Sequence, residues 1–206
     1  VVGRFAGDNA LAAVGSNTAL INLFTNLFIG LSVGTNVLTA QYYGAKKEAD
    51  LRETVHTSML LSIYSGVILT IVGVVGARFL LELMKAPSEV IGLAALYLRI
   101  LFLGMPSMMV YNFGSAILRA VGDTKRPLYY LLGAGIINVI LNLFFVIICQ
   151  MGVAGVGLAT VISQTISAAL VVRCLMKEQG GIQLELKALS ISKDKLAKIL
   201  KIGLPA

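Results

Sequence analysis

The sequence predicts an all-α membrane protein, a bundle of helices that crosses the bilayer several times. Only 13% of its residues are charged and 57% are hydrophobic, whereas soluble domains carry roughly 25% charged residues, so it has too few charges to cover a water-soluble surface. Its apolar runs are long and do not alternate with period two, which excludes β-strands. Glycine is abundant, at 21 of 206 residues, and small residues allow helices to pack closely in lipid.

Several segments are long enough to cross the hydrocarbon core, which takes about 20 apolar residues per helix. We predict five spans, at residues 17–40, 57–77, 91–118, 128–149 and 153–172. Arg99 is the charge that interrupts the third span, and Gly104 with Pro106 predicts a bend in it. Gln150-Met-Gly152 is the polar break in the long uncharged run that begins at Leu128, so it divides that run into two helices.

Lysine and arginine are distributed unequally between the two sets of loops. With alternating loops, 13 of the 17 fall on one side and 4 on the other. Because cytoplasmic loops of membrane proteins are enriched in positive charge, the side that carries Lys47, Lys125 and Lys177 is predicted to be cytoplasmic. The net charge of +7 therefore reflects membrane orientation, and no basic stripe interleaved with aromatic residues indicates nucleic-acid binding.

The first predicted span is polar along one face. Residues spaced by alternating steps of four and three lie on one side of a helix. Such a face either makes hydrogen bonds between helices or lines a water-filled cavity, and its length favours the cavity wall, with Asn36 as a candidate binding residue. The residues on this face are Thr18, Asn22, Thr25, Ile29, Ser32, Asn36 and Thr39.

The fourth and fifth spans carry further polar side chains. Asn138 and Asn142 are one helical turn apart, so their amides can act on one ligand or on each other. Thr160 and Gln164 lie on a common side of the fifth span. No Asp, Glu, Lys or His lies well inside a span, and no nucleophile with a base, acid pair or metal-ligand set is visible, so we expect neither an enzyme nor a cofactor.

The segment after the last span is predicted to contain an amphipathic helix. Between residues 192 and 202, apolar side chains at positions 196, 199, 200 and 202 oppose lysines at 193, 195, 198 and 201. A helix with this pattern is expected to lie at the cytoplasmic surface of the membrane. Residues 179–206 are therefore predicted to be a cytoplasmic linker followed by the start of another helix.

Short motifs recur along the chain in a specific order and spacing. They are VVGRFAGDNALAAVG (1–15), AQYYGA (40–45), LRAVGDTKRP (118–127) and GVAGVGLAT (152–160), with Asn138 and Asn142 between the last two. In this order they resemble the multidrug and toxic compound extrusion (MATE) family. The resemblance implies that residues 1–178 are helices two to six of the N-terminal six-helix lobe of a twelve-helix transporter, without its first helix.

The resemblance also implies a function. Such transporters have two six-helix lobes around a central cavity, rock between inward- and outward-facing states, and export cationic or amphipathic small molecules in exchange for Na⁺ or H⁺. It further implies a multi-pass protein of the cell membrane, in contact with the lipid bilayer and monomeric at full length, with no nucleic-acid partner. The coupling ion takes the place of a cofactor.

Site residues are implied by the same resemblance. In prokaryotic relatives an aspartate of helix one acts with polar residues of helix five in ion coupling, and that aspartate would precede Val1. Asn138 and Asn142 match the helix-five pair, but some relatives have a carboxylate where Asn142 stands, so Na⁺ and H⁺ both stay open. Thr160 and Gln164 match helix-six positions that face the same cavity.

Two other functions stay open at this point. A lipid-linked sugar flippase or polysaccharide exporter of the same superfamily would share the bundle, but phosphorylated substrates favour more positive charge within the spans than Arg99 alone provides. A structural membrane protein without transport activity would not need the long polar face of the first span.

The predicted orientation can be tested with single cysteines in the full-length protein, after replacement of all its native cysteines. Cysteines at Lys47 and Lys125 should be shielded from an impermeant thiol reagent added outside intact cells, because both positions are predicted to be cytoplasmic. Cysteines at Lys85 and Gly152 should react. The opposite labelling pattern would contradict the orientation.

Overall fold

The computed structural model of the protein describes residues 8–83, 91–178, 182–185, 189 and 191–203. These ranges contain seven α-helices and no β-strand, which confirms the all-α helix bundle. The start of the N-terminal motif and residues 204–206, where a further helix is predicted to begin, lie outside the described residues. The helices are α1 (Asp8–Gly44), α2 (Glu48–Leu83), α3 (Ile91–Leu103), α4 (Met105–Ala120), α5 (Lys125–Leu143), α6 (Val153–Lys177) and α7 (Lys193–Gly203).

Within the described ranges, three helices are each long and apolar enough to cross a membrane, namely Glu48–Ala77, Lys125–Ile148 and Ala154–Lys177. The bent pair α3 and α4 together would form a fourth span. The predicted span at residues 17–40 lies inside α1, whose 37 residues extend about 55 Å at the helical rise of 1.5 Å per residue. The count of five spans stays a prediction.

The middle of the bundle contains a broken helix. α3 and α4 meet at Gly104 with a bend of 47°, where the sequence predicts a bend. Pro106 has no backbone N–H, so it cannot donate the usual helical hydrogen bond to the carbonyl oxygen of Phe102. The Thr70 hydroxyl of α2 lies 2.6 Å from that oxygen and donates to it, and it also lies 2.9 Å from the carbonyl oxygen of Gly66. A side chain of a neighbouring helix thus satisfies the broken backbone.

Small residues let the neighbouring helices approach this break closely. A methyl group added at Gly66 would overlap the backbone of Pro106, and one added at Gly73 would overlap the ring of Phe102. α4 also packs against α1 and α6, so the broken helix lies at the centre of the bundle. The buried apolar side chains around it are Leu31, Leu69, Leu98, Leu101, Phe102, Met105, Met109 and Phe113.

Two turns on the predicted cytoplasmic side reverse the chain at left-handed residues. Gly122 has φ 92°, a conformation that glycine adopts without strain after the end of a helix. α1 ends at Gly44, and the left-handed residue in that turn is Lys46, with φ 57°. Pro127 lies in the first turn of α5, where a backbone N–H is not needed.

The linker helix α7 packs against α1 and α2, and one of its lysines is buried. Lys195 is 4% exposed, and its ammonium group lies 2.9 Å from Asp50, 3.6 Å from Glu53 and 3.4 Å from Asp194. Burial tends to lower the pKa of Lys195, but the hydrogen bond to Asp50 and the other polar contacts raise that pKa above its ordinary value. The predicted helix is present. The assignment of Lys195 to its exposed polar face is wrong, because this side chain is buried against the bundle. The carboxylates of α2 compensate the buried charge.

The segment between α6 and α7 is tied to α2 by hydrogen bonds. The ring of His56 is 2% exposed, and its Nε2 accepts the backbone N–H of Glu185 at 3.1 Å while its Nδ1 lies 2.8 Å from the carbonyl oxygen of Arg52. This pairing requires a neutral ring with its proton on Nδ1. The backbone N–H of Ser192 donates to the Thr57 hydroxyl at 3.0 Å. The linker is therefore docked on the bundle.

Candidate functional site

The candidate site begins with two asparagines near the end of α5. Asn138 and Asn142 are both half-buried, and the side-chain N–H of Asn142 donates to Asn138 Oδ1 across 2.5 Å. The side-chain oxygen of Asn142 is buried and has no hydrogen-bond partner in the described part of the chain. An unsatisfied buried oxygen costs roughly 1–3 kcal/mol, and it is an acceptor for a cation or a hydrogen-bond donor. The π-helical turn Phe144–Ile148 follows directly, a local geometry that is frequent at functional sites.

Gln164 on α6 faces the break in the central helix. Its side-chain oxygen is buried and unpaired among the described residues, and a methyl group added at Gly104 would lie 3.0 Å from that oxygen. Thr160, one turn earlier, donates its hydroxyl to the carbonyl oxygen of Val156 at 2.9 Å. Gln164 therefore provides a second buried acceptor, directed at the bend.

The structure joins the two asparagines but does not bond them to the α6 residues. Among the described residues, no hydrogen bond connects Asn138 or Asn142 to Thr160 or Gln164. α5 and α6 nevertheless pack against each other, so the two pairs lie on adjacent helices. A ligand that reaches both helices could use both unpaired oxygens.

Asn36 connects two helices. Its side-chain N–H donates to the carbonyl oxygen of Ala116 at 2.9 Å, which joins α1 to α4. This hydrogen bond is a sufficient reason for an asparagine at position 36, even if no ligand binds there, because asparagine commonly makes hydrogen bonds between helices in membranes. A binding role for Asn36 stays a prediction.

The polar face of α1 divides into an exposed part and a packed part. Asn22 is exposed, whereas Thr25, Ser32 and Thr39 are 2%, 5% and 0% exposed. The Ser32 hydroxyl donates to the carbonyl oxygen of Ile29 at 2.6 Å. Packing between helices accounts for the burial of these three side chains in this bundle, and the cavity wall stays a prediction.

A polar cavity of about 700 Å³ lies at the predicted cytoplasmic end, between the α1–α2 turn, the start of α5 and the end of α6. Arg126 forms ion pairs there with Asp123 and, at 2.5 Å, with Glu178. Burial tends to raise the pKa of Asp123, but hydrogen bonds from Arg126 lower that pKa below its ordinary value. The pair with Glu178 joins the start of α5 to the end of α6, whereas the pair with Asp123 is local to the turn before α5. Sequence reasoning missed both ion pairs. The close spacing of Asp123 and Arg126 was a signal for the local pair, whereas Glu178 is distant in sequence and gave no signal for the link between α5 and α6.

The chain is similar to known multidrug resistance and export proteins. The MatE family model matches residues 1–144. The chain is 34% identical over 212 residues to the probable multidrug resistance protein YoeA of Bacillus subtilis, with 100% of the chain and 46% of that protein covered. It is 27% identical over 210 residues to the multidrug export protein MepA of Staphylococcus saprophyticus, with 98% of the chain and 45% of that protein covered.

Solved structures show the same similarity. A crystal structure of MATE in the bent conformation matches with a TM-score of 0.91 at 30% identity, over 97% of this chain and 45% of that one. Inward-facing and outward-facing conformations of a multidrug resistance MATE family transporter each match with a TM-score of 0.88 at 30% identity, over 96% and 97% of this chain and 45% and 44% of those chains. The chain thus spans about half the length of the proteins it matches.

The division of the polar face of α1 can be tested with single cysteines in the full-length protein. Cysteines at Asn22 and Asn26, both exposed in the bundle, should react with a small water-soluble thiol reagent. Cysteines at Ser32 and Thr39 should stay unmodified under the same conditions, because packing against neighbouring helices excludes the reagent. Equal labelling at the four positions would contradict the packing described for α1.

Proposed function

We propose that this chain, which belongs to the multidrug and toxic compound extrusion (MATE) family, forms one lobe of an antiporter. The antiporter exports cationic or amphipathic small molecules in exchange for Na⁺ or H⁺. The chain is a multi-pass protein of the cell membrane. The observation that carries the proposal is the pair of buried, unpaired side-chain oxygens on adjacent helices, one from Asn142 and one from Gln164. Each of these oxygens can coordinate a cation or accept a hydrogen bond from a substrate.

The packing of the bundle supports a rocking mechanism. The chain resembles inward-facing and outward-facing relatives equally well, so the same arrangement of helices fits both states. A lobe that keeps its internal packing can rotate as a unit against a second lobe, because packed helices resist continuous deformation. Alternating access then arises from the movement of the lobes, while the buried contacts around α4 stay constant.

The chemistry of the asparagine pair favours a metal cation over a proton at that position. Amide oxygens are suitable ligands for hard cations such as Na⁺, whereas an amide cannot carry a proton at ordinary pH. Asn142 already uses its N–H to bind Asn138, which leaves its oxygen directed away from that bond. A proton-coupled mechanism would therefore place the proton on another residue.

Replacement of Asn142 tests this role in the full-length transporter. In proteoliposomes, Asn142→Ala should lower Na⁺-driven efflux by at least roughly ten-fold, because a contact to a charged group contributes about 1.5–3 kcal/mol. Asn142→Asp keeps an oxygen ligand at the same position and should retain Na⁺-dependent efflux.

Asn112→Ala is the matched control. Asn112 is a half-buried asparagine on α4 whose side-chain N–H group is buried without a partner in the described residues, so its removal tests the loss of any buried amide. Efflux by Asn112→Ala should stay near the parent level when corrected for the amount of folded protein. Equal losses in both alanine variants, or losses that only follow protein level, would show that Asn142 is structural.

A further inference from the structure

An open groove runs along the outside of the bundle between α4 and α6. It has a volume of about 660 Å³, within the usual range for small-molecule pockets of about 300–1,000 Å³. Its walls are apolar over most of their length and include Val110, Ala168, Ala169 and Val172. None of the asparagines of the candidate site lines this groove, so it is a separate feature.

Positive charge is concentrated at one end of the groove. Arg173 and Lys177 line its mouth and are exposed, and neither forms an ion pair with a described residue. The nearest acid in sequence, Glu178, is already paired with Arg126. Among the residues that the structure describes, no acidic side chain lines the groove. The mouth therefore offers two uncompensated cations beside an apolar channel.

The other end of the groove lies near the middle of the bundle. Pro106 and Ser107 line it at the start of α4, directly after the bend, and the Ser107 and Thr165 hydroxyls are 3.2 Å apart there. Along α6, Thr165 and Lys177 are separated by about 18 Å at a rise of 1.5 Å per residue. One leaflet of the hydrocarbon core is about 15 Å thick. The groove thus runs from the bilayer midplane to the surface that is predicted to be cytoplasmic.

We propose that this groove binds an anionic phospholipid of the cytoplasmic leaflet. One acyl chain lies between α4 and α6, and the phosphate contacts Arg173 and Lys177. The apolar length matches one leaflet, and the charges match the lipid headgroup in sign and depth. Basic sites between transmembrane helices on the cytoplasmic side commonly bind such headgroups. The hydroxyl pair at Ser107 and Thr165 closes the groove at the depth where an acyl chain ends.

The site has a structural consequence for α4. The end of the groove near the middle of the bundle is lined by Pro106, the residue that causes the break in the central helix. An acyl chain in the groove therefore contacts the segment directly after the bend. A bound lipid therefore stabilises the bend between α3 and α4 by packing against α4 and α6 at that point. This effect does not depend on which substrate or ion the transporter carries.

The test uses the full-length transporter in detergent and measures lipid binding by native mass spectrometry. Dioleoylphosphatidylglycerol should bind more tightly than dioleoylphosphatidylcholine. The double variant Arg173→Gln, Lys177→Gln should weaken binding of the anionic lipid by roughly 25-fold, since each cation near the surface contributes about five-fold. Binding of the zwitterionic lipid should change little.

Two further variants separate the groove from charge in general. Lys46→Gln, Lys47→Gln removes two exposed cations from the same predicted side and should leave phosphatidylglycerol binding unchanged. Ala169→Phe fills the groove without a change of charge and should weaken binding of the intact lipid. Inorganic phosphate should not compete, because it lacks the acyl chain.

Three outcomes would overturn the proposal. Equal binding of the two lipids to the parent protein would show that the headgroup is not recognised. An equal loss in the Lys46, Lys47 variant would show that the effect is nonspecific charge. Absence of bound lipid from the full-length protein, with all variants folded by thermal unfolding, would show that another part of the transporter covers the groove.

Discussion

The hydrogen bond from the Thr70 hydroxyl to the carbonyl oxygen of Phe102 is the interaction on which the arrangement of the bundle depends. Pro106 breaks the central helix, and a backbone carbonyl without its helical donor is expensive in hydrocarbon because no water replaces the lost bond. The Thr70 hydroxyl of α2 replaces the missing donor, at 2.6 Å from the carbonyl oxygen. Gly66 allows the close approach of the helices that this bond requires. The bend is therefore stabilised by a neighbouring helix.

Two candidate functional features lie beside this bend. Gln164 directs its buried oxygen at Gly104, the residue between the two halves of the broken helix. On the outside of the bundle, Pro106 and Ser107 form the inner end of the groove between α4 and α6. A change in the bend would alter the surroundings of both. Gln164 of the candidate ion site and the inner end of the proposed lipid site thus both lie beside the break between α3 and α4.

Composition and periodicity were sufficient to predict the helical class, the break at Gln150-Met-Gly152 and the bend near Gly104, because these depend on local properties of the chain. The Asn138–Asn142 contact follows in the same way from a spacing of one turn. The burial of Ser32 was not predictable, since a polar stripe looks the same in a sequence whether it faces water or another helix. The burial of Lys195 depends on acids of α2, which are distant in sequence.

A double-mutant cycle in the full-length protein tests the central claim most directly. Thr70→Val removes the hydroxyl at nearly constant volume and should lower the free energy of unfolding by about 1 kcal/mol, the usual contribution of one hydrogen bond. Pro106→Ala restores a backbone N–H that can serve the carbonyl of Phe102. In that background Thr70→Val should have almost no effect. An equal loss of stability in both backgrounds would contradict the conclusion that Thr70 replaces the hydrogen bond missing at Pro106.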